Sequence, residues 1–565
     1  MARTVAIGIQ DFGELIEKGY FYIDKTMFIK EWWEAGDNTT LITRPRRFGK
    51  TLNMSMVEQF FSVDYAGRGD LFEGLAIWQE EKYRHLQGTY PVISLSFANI
   101  KDKDYKTVRK KICQFISNLY TKHSYLLESE VLKEADIRYF KRVSEEMDDS
   151  DATLSLYQLS DYLCRYHGKK VIILLDEYDT PMQEAYVGGY WQELVGFTRS
   201  LFNSTFKTNP YLERAIMTGI TRVSKESMFS DLNHLEVITT TSNKYATAFG
   251  FTEEEVFAVL DEYDLSDQKM KVKQWYDGFV FGTHSDIYNP WSIISFLSKK
   301  EYQTYWADTS SNGMVSKLLR EGHGEIKTQF EELLKDRSIK TILDEQIVFN
   351  QLDNNEEAVW SLLVASGYLK VLGRQKENEE EDGVENIYEL VITNFETKLM
   401  FQKLIRDWFD SAKREYNAFI KALLTNDVDA MNLFMNSVAL ASFSYFDTGV
   451  KRYREEPERF YHGFVLGLLV ELQNEYVITS NRESGFGRYD VVIEPKNQQE
   501  KDAIIIEFKV LNEKREETLE DTIASALKQI EEKQYAAELM ARGIPKERIR
   551  SYGFAFRGKE VLIGW

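Results

Sequence analysis

Short apolar runs alternate with longer amphipathic stretches through the first 248 residues. The apolar runs favour strands that are buried on both faces, and the amphipathic stretches favour helices. Repeated strand and helix units of this kind predict an α/β fold, with a parallel sheet that has helices on both faces. The predicted strands begin at Thr40 or span Tyr90–Ala98, Val171–Leu175 and Arg214–Ile220, and the long helices span Tyr105–Glu128 and Ser155–His167.

Beyond this part, the pattern changes to short helices separated by aromatic turns. Thr252 is a favourable N-cap, with Glu253 to Glu255 in the first turn, so a helix is predicted to begin there. The aromatic turns Trp275–Phe279 and Ile287–Ser292 are expected to anchor these helices through buried rings. We therefore predict a helical lid.

A helix and two strands follow the predicted lid. Ala358–Leu369 is apolar at helical spacing, and Lys370–Leu372 and Ile387–Val391 favour strands. Helix, strand, loop and strand in this order resemble a winged helix. The acidic loop Glu377–Glu385 would form the wing, and its negative charge disfavours a DNA-reading role for this segment.

The last part of the chain predicts a second α/β unit, after amphipathic helices that run from Glu396 to about Val450. It begins with a helix and continues with three apolar strands and another helix. Such an order predicts a sheet with helices packed on it. The elements are Phe460–Glu471, Tyr476–Ser480, Gly487–Glu494, Asp502–Val510 and Ala524–Ala537.

The length and composition predict several domains that each have a core. A chain of 565 residues exceeds what one hydrophobic core organises, and its 43% hydrophobic content is enough for large cores. The predicted segments are 1–248 (the N-terminal α/β domain), 249–340 (helical lid), 341–395 (winged-helix-like segment), 396–455 (helical connector) and 456–565 (the C-terminal α/β domain).

The formal net charge is −20, which argues against a protein that coats nucleic acid through its overall field. Contact with nucleic acid would have to use local basic patches or metal ions. No apolar run approaches the roughly 18 residues that span a membrane, and the N-terminus lacks the apolar stretch of a signal peptide. Only two cysteines occur, so we expect a reduced, cytoplasmic protein. Because no apolar run is long enough to span a bilayer, we expect no membrane partner.

The first strand runs into a basic turn that ends in Gly49-Lys50-Thr51. In a phosphate-binding loop, a lysine reaches the outer phosphates and a hydroxyl holds Mg²⁺. Arg44 stands where the first glycine of such a loop belongs, and Pro45 favours an extended conformation before it. The alternative is a basic turn before a helix. On the first interpretation, Arg46, Arg47, Gly49, Lys50 and Thr51 bind ATP, and Arg44 belongs to the same basic patch.

A second stretch, Val171 to Asp179, favours the phosphate-binding loop over a simple basic turn. Five apolar residues followed by Asp176 and Glu177 describe a buried strand that ends in carboxylates. Asp176 would complete the Mg²⁺ shell beside Thr51, and Glu177 would polarise the attacking water. An ordinary core strand with a polar end is the alternative.

A further predicted strand ends in Met217-Thr-Gly-Ile-Thr-Arg. Thr218 or Thr221 fits the place of a residue that senses the γ-phosphate. Arg222 could serve as an arginine finger, although a surface ion pair is the alternative for this residue.

Three charged residues lie on two neighbouring strands of the last domain. Glu507 and Lys509 point to the same face because side chains alternate along a strand, and Asp490 can come alongside them. Two carboxylates and a lysine can bind Mg²⁺ and orient water for attack on a phosphodiester. A structural sheet edge or a decayed site is the alternative.

This arrangement resembles the PD-(D/E)xK nuclease superfamily, and the whole chain resembles the bacterial AAA-ATPase-like family that carries such a domain at its C-terminus. The matching stretches include Tyr22–Thr26, Arg44–Thr51, Leu175–Pro181, Thr218–Arg222 and Tyr288–Ser292. The resemblance implies a nucleotide-binding module joined to a nuclease, of the kind suspected in defence or mobile-element biology. It also implies that Gln529, on the last predicted helix with Tyr535, belongs to the nuclease site.

The sequence thus predicts an ATP-dependent or ATP-regulated, Mg²⁺-dependent nuclease of DNA or RNA, with DNA preferred, that could form a homo-oligomer. One rival is a signalling or scaffold NTPase whose C-terminal domain binds nucleic acid or protein without cleavage. A second rival is a nucleotide-binding switch that does not hydrolyse ATP.

Overall fold

The computed structural model describes residues 3–221, 234–309, 313–321, 324–343, 356–376, 386–408, 413–446, 456–483, 488–512, 516–557 and 560–565. Its helices are α1 (Phe12–Glu17), α2 (Met27–Ala35), α3 (Lys50–Phe61), α4 (Ala76–Gln79), α5 (Glu81–Arg84), α6 (Tyr105–Lys122), α7 (Glu134–Arg142), α8 (Asp149–His167), α9 (Thr180–Gly188), α10 (Trp191–Phe202), α11 (Glu253–Glu262), α12 (Lys269–Tyr276), α13 (Pro290–Lys299), α14 (Gly313–Glu321), α15 (Gly324–Leu334), α16 (Glu356–Ala365), α17 (Phe395–Trp408), α18 (Lys413–Thr425), α19 (Val428–Phe446), α20 (Glu456–Leu472), α21 (Leu519–Lys533) and α22 (Tyr535–Ala541).

The strands are β1 (Thr39–Thr43), β2 (Val92–Ser96), β3 (Val171–Asp176), β4 (Leu212–Gly219), β5 (Leu235–Ile238), β6 (Phe251–Thr252), β7 (Phe279–Phe281), β8 (His284–Tyr288), β9 (Ile339–Ile342), β10 (Leu369–Lys376), β11 (Asn386–Ile392), β12 (Tyr476–Glu483), β13 (Arg488–Pro495), β14 (Ala503–Val510), β15 (Ile549–Arg557) and β16 (Glu560–Gly564). The chain divides into unit 1 (residues 1–311 and 338–397) and unit 2 (residues 312–337 and 398–565). No helix in the described part of the chain is long and apolar enough to cross a membrane.

Unit 1 is built on a parallel sheet. Among the described residues, its five strands follow the order β2-β3-β4-β1-β5. All six residues of β3 and all five of β1 are buried, as the continuous apolar runs predict. Strand β4 lies between β1 and β3, so the loops that follow these three strands emerge at the same edge of the sheet. The predicted α/β class is confirmed for this part.

Short antiparallel sheets accompany the helices that follow in unit 1. Strands β6, β8 and β7 pair in that order beside α11 to α13, and β10, β11 and β9 pair next to α16. Thr252 caps α11 through its hydroxyl, as predicted, and Glu255 returns the bond as a capping box. The predicted wing residues 377–385 lie outside the described residues.

Several predicted helix boundaries are wrong, including the ends of three helices. The helix predicted to reach Leu369 ends at Ala365, because Gly367 adopts a left-handed conformation with φ 82° and starts the turn into β10. Helix α6 ends at Lys122 and is followed by a 3₁₀ segment up to Glu128. Gln534, with φ 56°, interrupts the last predicted helix, so Gln529 and Tyr535 lie on separate helices.

Unit 2 contains a mixed sheet with helices on both faces. The described strands follow the order β12-β13-β14-β15-β16, and β14 and β15 form its parallel pair. One face packs aromatic side chains against the preceding helices, with Phe464 of α20 and Phe508 of β14 at 5.8 Å between ring centroids. Helix α21 covers the opposite face, where Gly553 allows close approach: a Cβ there would lie 3.1 Å from the Cβ of Ala526.

Candidate functional site

The loop between β1 and α3 has the strained backbone expected of a ligand-binding turn. Arg47 and Gly49 both adopt left-handed conformations, with φ 65° and 80°. Gly49 adopts this conformation without penalty, whereas for a side-chain-bearing residue such as Arg47 it costs about 1 kcal/mol or more. The Arg47 guanidinium lies over the ring of Trp291, 4.5 Å from its centroid. The loop is thus held in a defined shape at the N-terminus of α3, where backbone N–H groups favour anions.

Arg44 lies beneath this loop and belongs to its scaffold. Its side chain is fully buried and donates hydrogen bonds to the carbonyl oxygens of Thr43 and Thr239, at 3.0 and 2.6 Å. Its guanidinium also lies over the ring of Phe281. Burial lowers the pKa of Arg44 to about 9. The prediction that Arg44 joins a phosphate-facing patch is therefore wrong, because its side chain is fully buried and both of its Nη atoms donate to backbone carbonyl oxygens.

Lys50 is buried at the start of α3. Its Nζ donates hydrogen bonds to the carbonyl oxygens of Arg44 and Pro45, both at 2.9 Å. Burial lowers the pKa of Lys50, while the charges of Glu177, Asp176 and Asp179 oppose this shift. The ammonium group is thus kept inside the loop and close to the carboxylates at the end of β3.

Asp176 joins the loop to the neighbouring strand. Its Oδ2 accepts a hydrogen bond from the Thr51 hydroxyl at 2.8 Å, and its Oδ1 accepts a short one from the Thr218 hydroxyl. Burial raises the pKa of Asp176, and both hydroxyl bonds oppose that shift. The fold therefore brings together three predicted site residues from α3, β3 and β4.

Glu177 also adopts a left-handed conformation, with φ 50°. Its backbone N–H donates to the Thr218 hydroxyl at 3.2 Å, and its Oε2 accepts from the Thr180 hydroxyl at 3.2 Å. Its side chain is partly exposed, in contrast to the buried Asp176. Two adjacent carboxylates thus occupy different environments, as separate roles in ion binding and water activation would require. Arg222 lies outside the described residues.

The carbonyl oxygen of Arg46 is bound by the segment around α13. The Asn289 side-chain amide donates to it at 3.2 Å and the Trp306 indole N–H at 2.9 Å. Asn289 is fully buried and also caps α13 through its Oδ1. The motif Tyr288-Asn-Pro-Trp-Ser therefore contacts the loop between β1 and α3 directly.

A buried carboxylate organises the turn that carries Trp306. Oε1 of Glu396, at the start of α17, accepts hydrogen bonds from the backbone N–H groups of Tyr305, Trp306 and Ala307, and its Oε2 accepts one from the Ser292 hydroxyl. The donor to acceptor distances are 2.5 to 3.3 Å. Burial raises the pKa of Glu396 to about 7, although these donors favour the ionised form.

We expect Glu396 to make stability depend on pH. The pKa of Glu396 in the folded protein lies above its value of about 4.3 in the unfolded chain, so the folded state binds the proton more tightly. The resulting stabilisation is fully present below pH 4.3, at about the unfolded pKa, and is lost as the pH rises through about 7. Urea denaturation of wild type and Glu396→Gln from pH 5 to 8 measures this loss. The stability of wild type should fall relative to the variant by at most about 3 kcal/mol. Glu254→Gln, at an exposed position of α11, is the control, and parallel curves for Glu396→Gln and wild type would contradict the prediction.

The second candidate site lies on the sheet of unit 2. Asp490 of β13 and Glu507 of β14 are direct partners in the antiparallel register, so their side chains project from the same face. They are 6% and 1% exposed. Two ionised carboxylates this close and this buried repel each other, and a divalent cation or a shared proton relieves that repulsion. The pair of hard oxygen donors fits Mg²⁺.

Lys509 projects from the same face of β14 as Glu507. Its Nζ donates hydrogen bonds to the hydroxyl of Ser525 at 2.8 Å and to the carbonyl oxygen of Ser525 at 3.0 Å. Ser525 belongs to α21, one turn before the buried Gln529. Helix α21 therefore orients Lys509 on the sheet face that carries the two carboxylates. Gln529 lies one turn after Ser525 on the same helix.

Sequence reasoning misses Gln183, Ser525 and Glu396. Their partners are distant along the chain: Gln183 accepts a hydrogen bond from Arg46 at 3.0 Å, and Glu396 binds residues about 90 positions earlier. No local pattern marks such contacts. A polar residue on the apolar stripe of a predicted helix is the signal that could have directed attention to Gln183 and Ser525.

Comparisons with known proteins find matches to two separate parts of the chain. Residues 6–229 match a family model described as a predicted AAA-ATPase, and residues 456–565 match a model of the PD-(D/E)XK nuclease superfamily. A protein of Azotobacter chroococcum mcd 1, described as an uncharacterized protein in the vnfD 5′ region, is 25% identical over 586 residues, which cover 100% of this chain and 98% of that protein. The chain therefore joins an N-terminal AAA-ATPase-like domain to a C-terminal domain of the PD-(D/E)XK nuclease superfamily.

Proposed function

We propose that the protein is a Mg²⁺-dependent nuclease of DNA or RNA whose activity depends on ATP bound by its N-terminal domain. The direct pairing of Asp490 with Glu507, with Lys509 on the same sheet face, carries the nuclease assignment. The contact of Thr51 with Asp176 supports the nucleotide half. DNA is the preferred substrate in this proposal, before RNA. A cytoplasmic location and a role in defence or mobile-element biology are further predictions.

In the nucleotide site, Gly49, Lys50 and Thr51 would hold the phosphates of ATP. Lys50 would exchange its two backbone carbonyl acceptors for phosphate oxygens, which are stronger acceptors for an ammonium group. Thr51 and Asp176 would hold Mg²⁺, which neutralises phosphate charge when bound. Glu177 would orient the attacking water, and Thr218 would keep Asp176 and Glu177 in place.

In the nuclease site, Asp490 and Glu507 would hold Mg²⁺, which stabilises negative charge on the scissile phosphate when bound. Lys509 would pair with the negative charge that develops on the phosphate, and Ser525 keeps its ammonium oriented. Gln529 would contact the substrate from α21. Mg²⁺ suits both sites because every proposed protein ligand is a hydroxyl or carboxylate oxygen.

Cleavage assays on the full-length wild-type protein test this proposal. End-labelled single- and double-stranded DNA and RNA are incubated with Mg²⁺ or EDTA, each with and without ATP, while phosphate release is followed in parallel. We expect fragments only with Mg²⁺, and a cleavage rate that changes when ATP is added. Cutting that persists in EDTA would contradict a metal-dependent nuclease.

The rival functions predict different outcomes in these assays. A scaffold NTPase would release phosphate and bind nucleic acid without cutting any substrate under any condition. A nucleotide-binding switch would bind ATP without phosphate release.

A further inference from the structure

Gln183 lies between the phosphate loop and the end of the parallel sheet. It belongs to α9, and its side chain is only 8% exposed. Its Oε1 accepts a hydrogen bond from Nη2 of Arg46 at 3.0 Å, and its Nε2 donates one to Oδ2 of Asp179 at 3.1 Å. One side chain thus connects a loop arginine to a buried carboxylate.

An amide at this position matches the hydrogen-bonding chemistry of both partners. A guanidinium group only donates hydrogen bonds and a carboxylate only accepts them, so the residue between them must offer one acceptor and one donor. Glutamine does this without adding charge. The same requirement determines the orientation of the amide, with its oxygen toward Arg46 and its nitrogen toward Asp179.

Asp179 provides a rigid anchor for this connection. It is 1% exposed, and its Oδ2 also accepts hydrogen bonds from the backbone N–H groups of Ile220 and Thr221, both at 2.9 Å, and from the Thr221 hydroxyl at 3.0 Å. These residues follow β4, the strand between β1 and β3. Gln183 is therefore held against the edge of the sheet at which the phosphate loop lies.

Arg46 has a side chain that such an anchor can orient toward a ligand. It is partly exposed, unlike Arg44 and Lys50, and its charge contributes to lowering the pKa of Lys50. The two cations are thus near enough to act on the same group of phosphates. A flexible arginine binds an anion more tightly when a neighbouring acceptor restricts its rotamers before the anion arrives.

We propose that Gln183 is a positioning residue that aims Arg46 at the terminal phosphate of a bound nucleoside triphosphate, and so sets the preference for triphosphate over diphosphate. The inference rests on the nucleotide site proposed above. It assigns Arg46 a role that depends on the third phosphate, whereas Lys50 and the loop backbone also serve a diphosphate. Asp179 and Thr221 would support this preference from the end of the sheet.

Equilibrium competition of unlabelled ATP and ADP against a fluorescent nucleotide, with Mg²⁺ present, tests the inference on the full-length protein. Gln183→Met retains the length and approximate volume of the side chain and removes both polar contacts. We expect the ratio of ATP to ADP affinity to fall about tenfold in this variant, as for the loss of a hydrogen bond to a charged group. Arg46→Ala should lower the ratio at least as far, and the double variant should show little additional loss.

Val187→Ala, at an exposed position on the same helix, is the control and should leave the ratio unchanged. A general weakening of the fold would lower both affinities together, so the ratio separates positioning from stability. If Gln183→Met does not fold, Arg46→Lys is measured in its place. Lysine retains the positive charge but lacks the planar guanidinium group that Gln183 binds, so we expect the same fall in the ratio of ATP to ADP affinity.

An unchanged ratio in Gln183→Met or Arg46→Lys, beside a reduced ratio in Arg46→Ala, would overturn the role of Gln183. An unchanged ratio in Arg46→Ala would overturn the role of Arg46. Wild type that binds neither nucleotide would overturn the proposed nucleotide site itself, and the inference with it.

Discussion

Glutamine in place of Glu507 is expected to lower the rate of Mg²⁺-dependent phosphodiester cleavage by about 10³-fold or more. The substitution conserves shape and removes one of two carboxyl groups on directly paired residues of β13 and β14. An amide is a poorer ligand for Mg²⁺ than a carboxylate, so both metal binding and the orientation of the substrate should suffer. The decrease in cleavage rate is measured with labelled DNA over a range of Mg²⁺ concentrations.

The same variant separates a functional role from a structural one. Glu507 is 1% exposed beside the buried Asp490, so an amide of the same shape avoids the free-energy cost of burying a second carboxylate charge at this position. The melting temperature without metal should therefore stay constant or rise, whereas a purely structural glutamate would lower it. Glu538→Gln, on the exposed side of α22, is the matched control and should retain full activity. Wild-type cleavage by Glu507→Gln would exclude the proposed site.

Asparagine in place of Asp176 is expected to lower ATP hydrolysis by about 10³-fold. The hydroxyls of Thr51 and Thr218 can each donate or accept, so both can retain a hydrogen bond to the amide and the sheet edge should persist. The charge that would bind Mg²⁺ is lost, and Mg²⁺ should no longer increase the affinity for ATP. Phosphate release and ATP titrations with and without Mg²⁺ measure the two effects.

Asp267→Asn, at an exposed position, is the control for this second substitution and should hydrolyse ATP at the wild-type rate. If Mg²⁺ still increases the ATP affinity of Asp176→Asn, the ion does not bind at Asp176 and the prediction is wrong. If cleavage by the nuclease domain depends on ATP turnover, Asp176→Asn should also remove the effect of ATP on cleavage.

The apolar strands that carry the candidate site residues are the part of the fold that the sequence predicts best, whereas β5, β15 and β16 have no predicted counterpart. Continuous apolar runs such as Val171–Leu175 are long enough to be buried and too short for a membrane span, and each forms a strand close to its predicted bounds. The helix start at Glu253 is also correct, because a capping box acts within four residues. Such signals are local and can be read without the rest of the chain.

Helix ends are predicted less well, for a reason visible at Gln534 and Gly367. Tyr535 and Leu539 of α22 pack with Ile530 of α21 and Ile505 of β14, and the chain reaches that arrangement by turning at Gln534. The left-handed turn at Gly367 brings the start of β10 against the loop between β1 and α3, and a Cβ at Gly367 would lie 2.8 Å from Cγ of Pro45. The turn at Gln534 depends on distant packing, whereas Gly367 is itself a local stop signal that helical periodicity alone does not include.

By itself, the sequence determined which residue types could do chemistry and on which elements they lie: Lys50 and Thr51 at a helix start, Asp176 at a strand end, and Glu507 and Lys509 on alternate positions of a strand. Only the tertiary structure decided the pairings. It buried Arg44 away from ligands, set Asp490 directly opposite Glu507, and connected Arg46 to Asp179 through Gln183. Periodicity and capping act over a few residues, whereas strand register and buried hydrogen bonds join residues far apart in the chain, and only folding selects among their partners.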